Sequence, residues 1–294
     1  MKFSLVMGTL GRTSEVRAFL ESLQRQDHRD FELLIVDQNP DERLAPVVDE
    51  YRQHFRILRY RSAPGLSRAR NVGLRYVSGD VVAFPDDDCW YPEGLLSYVA
   101  GRLKTQPSLD GISGRFVDAA GREEGRWLKD TQTLTRFSVW RGAISFGIFL
   151  RRALVERISG FDEALGVGAG TPWGAGEETE YLLRGMKTGA RIEYDRDLVL
   201  HHPVKTADFG PAAIERQCRY EAGLGRVIRQ SGLPGWYFPW VCLRTCGGAL
   251  LALCSGRVAQ ARFKWHSLFA RVRGWRGSAG AKRAAAARPS STQA

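Results

Sequence analysis

Three consecutive carboxylates, Asp86–Asp88, directly follow an apolar run in the sequence VVAFPDDD. Aspartates beside a proline are common in solvated turns, so a surface loop is one interpretation of this stretch. The other is a cation site, because Mg²⁺ and Mn²⁺ prefer oxygen ligands and share them with substrate phosphates. In a cation site Asp88 would contact the ion directly, and Asp86 and Asp87 would assist.

Alternating strand and helix patterns fill the first hundred residues. Between the predicted strands, apolar residues recur at helical spacing. The predicted strands are Phe3–Met7, Phe31–Asp37, Arg56–Arg61 and Asp80–Phe84. This order predicts an α/β fold, a Rossmann-like and mostly parallel sheet with flanking helices. Ligands of such sheets bind beyond the carboxyl ends of the strands, where Asp37 and the acidic triplet both fall, which favours the cation site over the turn.

The pattern is less regular after residue 105. We predict a strand at Gly111–Val117, another at Ser145–Leu150, and a helix at Arg152–Ile158. A glycine-rich stretch, ALGVGAGTPWGAG, is typical of a mobile loop over a site. It leads into a predicted helix, EETEYLLRGMKTG, and a last strand at Ile192–Leu200.

Charge divides the chain into unequal parts. Residues 222–294 hold 12 Lys and Arg residues and no Asp or Glu, whereas residues 1–221 have a net charge of −1. We therefore predict an α/β domain at 1–221, a basic and aromatic helical region at 222–280, and a disordered tail at 281–294. A basic region indicates a polyanionic partner.

Aromatic residues among arginines suit an anionic membrane surface better than nucleic acid, which we do not expect as a partner. The alternative is a pair of helices packed on the body of the protein with a charged outer face. Pro239, Arg244 and the Gly247–Gly248 pair argue against a simple membrane-spanning helix.

The five cysteines form no CxxC pair, and the chain begins MKFSLVM without a signal-peptide pattern. These features predict a reducing, cytoplasmic location, peripheral on the inner face of the cell membrane.

Five short motifs follow one another along the chain: MGTLGR, IVDQNP, GLSRARNVGL, SGDVVAFPDDD and GAGEETEYLLR. Together they resemble the family 2 glycosyltransferases, which have the nucleotide-diphospho-sugar transferase (GT-A) fold. The resemblance spans roughly residues 3–205, and its most specific part is GLSRARNVGL followed by the acidic triplet.

The resemblance implies a role for each residue at a matching position. Thr9 and Arg12 would line the nucleotide pocket, and Asp37 would accept hydrogen bonds from the base or ribose. The other implied donor-binding residues are Ser67, Arg70, Asn71, Asp86 and Asp87. The implied ligands of Mg²⁺ or Mn²⁺ are Asp88, Asp86 and His201, with the adjacent His202 as an alternative to His201.

The catalytic base departs from the family pattern, since the family usually has Glu-Asp where this chain has Glu177-Glu178. An inverting transfer needs one carboxylate to take the proton of the acceptor hydroxyl. Glu178 matches the usual base, and Glu177 is the other candidate. Trp173, in the glycine-rich stretch, would stack on an acceptor sugar or serve as a core aromatic.

Processive synthases of the family carry a Gln-x-x-Arg-Trp signature, which Gln217-Cys218-Arg219-Tyr220 does not match. The resemblance therefore implies a metal-dependent, inverting transfer of one sugar, from a nucleotide-diphospho-sugar to a saccharide or lipid-linked acceptor, in surface glycan biosynthesis. The alternatives are a sugar-phosphate nucleotidyltransferase and a non-catalytic basic protein that binds membrane or nucleic acid.

Overall fold

The computed structural model describes residues 1–123, 125, 127–204 and 208–286, with side chains as far as residue 277. It divides into two compact units. The first unit comprises Met1–Glu163 and Glu177–Thr206, and the second comprises Ala164–Gly176 and Ala207–Ala294.

An eight-stranded sheet forms the first unit, in the order β3-β2-β1-β4-β7-β5-β8-β6. The strands are β1 (Phe3–Thr9), β2 (Phe31–Asp37), β3 (Arg56–Arg61), β4 (Val81–Ala83), β5 (Gly111–Val117), β6 (Gln132–Thr133), β7 (Ile148–Arg151) and β8 (Ile192–His201). Strands β3, β2, β1 and β4 pair in parallel with their neighbours, and β5 pairs in parallel with β8. Strand β7 pairs antiparallel with both β4 and β5, and β6 pairs antiparallel with β8. The predicted α/β fold with a mostly parallel sheet is confirmed.

Seven helices accompany this sheet in the described part of the first unit. They are α1 (Ser14–Gln24), α2 (Ala45–Tyr51), α3 (Leu66–Leu74), α4 (Leu95–Thr105), α5 (Val139–Gly142), α6 (Arg152–Ile158) and α7 (Glu177–Lys187). The sequence motif of α3 places small residues against the sheet, where a Cβ on Gly73 would come within 2.4 Å of Val6 Cγ1. This close approach holds the polar side chains of α3 beside the carboxyl end of β1.

The second unit is helical. Its helices are α8 (Pro211–Gln230), α9 (Tyr237–Cys254) and α10 (Val258–Ala286). The domain boundary expected after residue 221 falls inside α8, which spans Pro211–Gln230. Glu221 of this helix forms a buried ion pair with Arg271 of α10. Of the tail expected to be disordered, residues 281–286 continue the backbone of α10, and residues 287–294 lie outside the described residues.

Helix α9 is uninterrupted despite its proline and its pair of glycines. Pro239 lies in the first turn, where the missing N–H has no intrahelical acceptor to lose. By length and composition alone α9 could cross a membrane, although such a helix is weak evidence of a membrane protein. Pro239 and the glycines therefore do not interrupt the helix, and the argument against a simple membrane-spanning helix stays a prediction.

Candidate active site

Two residues from the end of β1 bind the central carboxylate of the acidic triplet. The Thr9 hydroxyl donates a hydrogen bond to Asp87 Oδ2 at 2.7 Å, and Arg12 Nη1 lies 2.6 Å from Asp87 Oδ1. The pairing of β1 with β4 brings these groups together, because the triplet leaves the sheet beside the end of β1. Burial raises the pKa of Asp87, and these two donors oppose that effect.

Asp88 lies between an arginine and a histidine. Arg12 Nη1 is 2.6 Å from Asp88 Oδ2, and His202 Nε2 is 3.2 Å from Asp88 Oδ1. Burial by itself would raise the pKa of Asp88, but His202 and Arg12 outweigh it and lower the pKa to about 2. Although burial acts to lower the pKa of His202, its contact with Asp88 raises that pKa. Asp88 is therefore ionised at every physiological pH.

Asp86 turns toward a buried arginine. Arg70, fully buried on α3, donates from Nη2 to Asp86 Oδ1 at 3.0 Å and from Nη1 to Glu177 Oε1 at 3.2 Å. The Ser145 hydroxyl lies 3.3 Å from both oxygens of Asp86. Burial raises the pKa of Asp86 to about 6, Arg70 opposes it, and the neighbouring carboxylates add to it. One guanidinium thus links the triplet to the first turn of α7.

Glu178 follows Glu177 but occupies a different environment. It lines a small niche with the aromatic rings of Phe84, Phe161 and Tyr181. Desolvation, followed by the charge of Glu177, raises the pKa of Glu178 well above the usual range of a carboxylic acid. A partly exposed carboxylate with a raised pKa is the kind of group that takes up a proton near neutral pH.

At the end of β2, Asp37 is fully buried and its oxygens accept several hydrogen bonds. Arg59 donates to Oδ2 from Nε at 2.9 Å and from Nη2 at 2.6 Å. Asn39 donates to Oδ1 from its backbone nitrogen at 2.9 Å and from its side-chain amide at 2.8 Å. Arg61 Nη1 lies 3.2 Å from Oδ2, so protein donors surround the position expected to bind the base or ribose.

Two other expected donor-binding residues lie on α3. Ser67 is fully buried. The amide of Asn71 holds the loop after α6: it donates to the Phe161 carbonyl at 3.0 Å and to Glu163 Oε1 at 3.0 Å, and accepts from the Phe161 backbone N–H at 2.7 Å. The described contacts of Asn71 are therefore with this loop.

The two adjacent histidines point to different surroundings. His201, the last residue of β8, stacks on Trp90 with ring centroids 5.2 Å apart. His202 stacks on Phe146 and is the one whose Nε2 approaches Asp88. Of the two alternatives left open by the sequence, His202 is the one beside the acidic triplet.

Trp173 belongs to the second unit, as does the rest of the glycine-rich stretch. The Arg226 guanidinium of α8 lies 3.8 Å from the centre of its ring. Nearby, the Gly174 backbone N–H donates to the Arg219 carbonyl at 3.0 Å. These contacts attach the glycine-rich stretch to α8.

The sequence model of glycosyl transferase family 2 matches residues 4–159, more than half of the chain. The chain belongs to family 2. The resemblance found in the motifs and the assignment as a glycosyltransferase are confirmed.

Two curated relatives are glycosyltransferases. An uncharacterized glycosyltransferase of Bacillus subtilis, YwdF, is 30% identical over 55% of this chain and 62% of its own length. WfgD of Escherichia coli, a UDP-Glc:alpha-D-GlcNAc-diphosphoundecaprenol beta-1,3-glucosyltransferase, is 29% identical over 39% of this chain and 50% of its own length. The matched segments thus span about half to two thirds of these relatives.

Two solved structures share the fold. TarS residues 1–349 of Staphylococcus aureus, in complex with UDP-GlcNAc, aligns with a TM-score of 0.59 at 17% identity, over 97% of this chain and 92% of that one. The mannosyltransferase PcManGT of Pyrobaculum calidifontis, in complex with GDP-Man and Mn²⁺, aligns with a TM-score of 0.59 at 16% identity, over 98% and 76%.

Several residues of this family 2 site escaped the sequence analysis. Ser145, which contacts Asp86, lies in a short 3-10 helix (Ser145–Gly147) before β7, and Phe161 supports Arg70, whose guanidinium carbon is 5.4 Å from its ring centre. Arg59, on β3, binds Asp37 at the end of β2. Parallel pairing of these two strands brings their carboxyl ends together, and this pairing was the signal that could have pointed to Arg59.

The donor set beside Arg12 suits a hard divalent cation. An ionised Asp88 and the imidazole of His202 supply an oxygen and a nitrogen, and Mg²⁺ or Mn²⁺ completes such a site with water and phosphate oxygens. Among the described residues, no group of three or more His, Cys, Asp or Glu side chains is placed to hold a metal together.

Proposed function

We propose that this enzyme transfers one sugar, with inversion, from a nucleotide-diphospho-sugar to a saccharide or lipid-linked saccharide acceptor in surface glycan biosynthesis. The observation that carries the proposal is the link from Asp86 through Arg70 to Glu177, which joins a donor-binding motif to the helix that bears a candidate base. The complex of TarS with UDP-GlcNAc and the diphosphoundecaprenol acceptor in the name of WfgD support the two substrate classes.

Donor binding would depend on the acidic triplet. Asp88 and His202 would hold Mg²⁺ or Mn²⁺, which neutralises charge on the departing nucleotide diphosphate. Asp86 and Asp87 would be oriented by Arg70, Thr9 and Arg12 rather than by the ion. The structure of PcManGT in complex with GDP-Man and Mn²⁺ supports the use of a divalent cation.

Glu178 would take the proton of the acceptor hydroxyl as that oxygen attacks the anomeric carbon. Its raised pKa and its partly exposed position suit this role. Glu177, buried and bound to Arg70, would instead keep the first turn of α7 in place.

Asp88→Ala tests the metal site. We expect the variant to stay folded and to lose metal-dependent turnover, because one of two protein ligands is gone. A thermal-shift panel of nucleotide diphosphates, with and without Mn²⁺, measures binding directly, since a ligand of the folded state raises its melting temperature. Undiminished Mn²⁺-dependent stabilisation of Asp88→Ala would exclude this residue as a ligand.

Glu178→Gln tests the base. We expect a loss of transfer of about 10²–10⁴-fold with donor binding retained, since only proton abstraction is removed. Rapid-quench measurement of a single turnover and a donor thermal shift separate the two steps. Glu177→Gln is the comparison: a selective loss of the chemical step in that variant, with Glu178→Gln active, would move the base to Glu177.

We also propose that the enzyme is cytoplasmic and works at the inner surface of the cell membrane, where a lipid-linked acceptor would be presented. The charge of the chain and the named acceptor of WfgD support this location.

A further inference from the structure

Helix α9 keeps most of its surface exposed in the second unit. Only Tyr237, Ala249 and Ala252 are buried, so the helix packs through one narrow side. On the other sides Leu243 is 71% exposed and Leu251 is 69% exposed. Large aliphatic side chains in water at this density are typical of an interaction surface.

The exposed side chains form a continuous face. Trp236, Trp240, Leu243 and Leu250 follow one another at intervals of three, four or seven residues, so they align along one side of a helix. Val258, at the start of α10 and 63% exposed, lies just beyond the turn between the helices. We call Trp236, Trp240, Leu243, Leu250 and Leu251 the apolar face.

Basic groups accompany the apolar face. The second unit has 14 Lys and Arg residues against three Asp and Glu, a net charge of +11, whereas the first unit has 29 of each. Glu221, the last acidic residue of the chain, is neutralised by Arg271 at a buried position. Arg244 lies over the ring of Trp240 at 4.7 Å, and Arg257 and Arg262 are exposed near the turn.

We propose that the apolar face docks on an anionic lipid bilayer, with α9 parallel to the membrane plane and the arginines on the headgroup phosphates. Tryptophan and arginine side chains are suited to the headgroup region, and leucines to the acyl boundary beneath it. The inference does not rest on glycosyl transfer and stands or falls separately from it.

Two alternatives fit the same surface less well. A nucleic acid is bound by phosphate contacts and base stacking, to which Leu243, Leu250 and Leu251 add nothing. A membrane-spanning α9 would measure about 27 Å at 1.5 Å per residue, short of the ~30 Å hydrocarbon core. It would also place Arg244 near the bilayer centre and pull Ala249 away from its packing in the unit.

The test uses the full chain and sedimentation with vesicles of phosphatidylcholine alone or mixed with phosphatidylglycerol. We expect binding only to the anionic vesicles, weakened by salt. Leu251→Asp and Arg262→Glu should each lower the partition coefficient about tenfold or more, because one removes apolar burial and the other reverses a charge at the surface.

Matched controls are exposed residues of the first unit. Phe137→Asp and Arg75→Glu likewise replace an exposed apolar side chain with aspartate and reverse the charge of an exposed arginine, but neither residue belongs to the apolar face, so both should leave the partition coefficient unchanged. Circular dichroism melts verify that all four variants fold. Equal losses in controls and test variants, duplex DNA bound in preference to anionic vesicles, or protein that resists alkaline carbonate extraction would each overturn the proposal.

Discussion

Adjacent carboxylates of the acidic triplet differ in chemistry because their partners differ. Asp86 is partly buried and faces one buried guanidinium, so the desolvation of its carboxylate dominates and its pKa rises to about 6. Asp88 has both Arg12 and His202 at its oxygens, so its pKa falls to about 2. Repulsion within the triplet is thus relieved by arginines and a histidine of the chain itself, before any cation binds.

Asp86→Asn and Asp88→Asn should change stability in opposite directions. A raised folded-state pKa gives Asp86 a stabilising contribution only below about pH 4, which is lost as the pH rises through about 6. At pH 7.5 in EDTA, Asp86→Asn should therefore raise the free energy of unfolding, by on the order of 1–3 kcal/mol, and the difference should vanish at low pH.

Asp88 has a depressed pKa, so its contribution is present above about pH 4 and lost as the pH falls through about 2. Asp88→Asn should accordingly lower the free energy of unfolding at pH 7.5 by a similar amount. Urea titrations at several pH values measure both effects. A destabilised Asp86→Asn would show that its ion pair with Arg70 outweighs the burial of charge.

At the scale of elements, α3 positions the site through close packing. Arg70 points from this helix toward Asp86, and Gly73, one turn later, lets the helix approach β1. The motif GLSRARNVGL therefore combines a functional arginine with the small residue that brings it within reach. The helical conformation of the motif follows from its sequence, but the close packing of α3 against β1 is visible only in the tertiary structure.

Gly73→Ala should destabilise the protein by about 1–3 kcal/mol, because its Cβ would lie 2.4 Å from Val6 Cγ1 in a packed interior. Gly101→Ala in α4 is the matched control, since a Cβ there meets nothing within 4 Å. The control should gain about 0.5–1 kcal/mol from helix propensity. Chemical denaturation of both variants measures the difference, and equal effects would contradict the packing argument.

At the scale of the whole molecule, charge is segregated between two units. The first unit is balanced, while the second has a net charge of +11 and contains a buried ion pair. Glu221 of α8 accepts from Arg271 Nε at 2.7 Å, and Arg271 Nη1 donates to Thr245 Oγ1 of α9 at 2.7 Å. One guanidinium therefore connects the three helices of the second unit.

Glu221→Gln should lower the free energy of unfolding by about 3 kcal/mol, since it leaves the buried Arg271 without a counter-ion. Glu215→Gln, which removes the exposed partner of Arg219 on the same helix, should change it by less than about 0.5 kcal/mol. Urea titration followed by tryptophan fluorescence measures this effect, since five of the eight tryptophans belong to the second unit. A Glu221→Gln variant as stable as the control would show that packing alone holds the helices.

The sequence by itself determined the sheet, the acidic triplet and the family. Strand and helix patterns of apolar residues alternate along the first hundred residues and predict β1 to β4 and the helices between them, because local spacing decides which face of each element is buried. The motifs likewise predict Arg70, Asp88 and the Glu177-Glu178 pair as site residues.

The tertiary structure decided the partners. Which of His201 and His202 faces Asp88 depends on where β8 ends, and the binding of Glu177 rather than Glu178 to Arg70 depends on the phase of α7. The boundary at residue 221 could not be read from charge, because Glu221 finds its counter-ion 50 residues away. Contacts between segments far apart in the sequence depend on the packing of the whole fold, so local sequence patterns do not predict them.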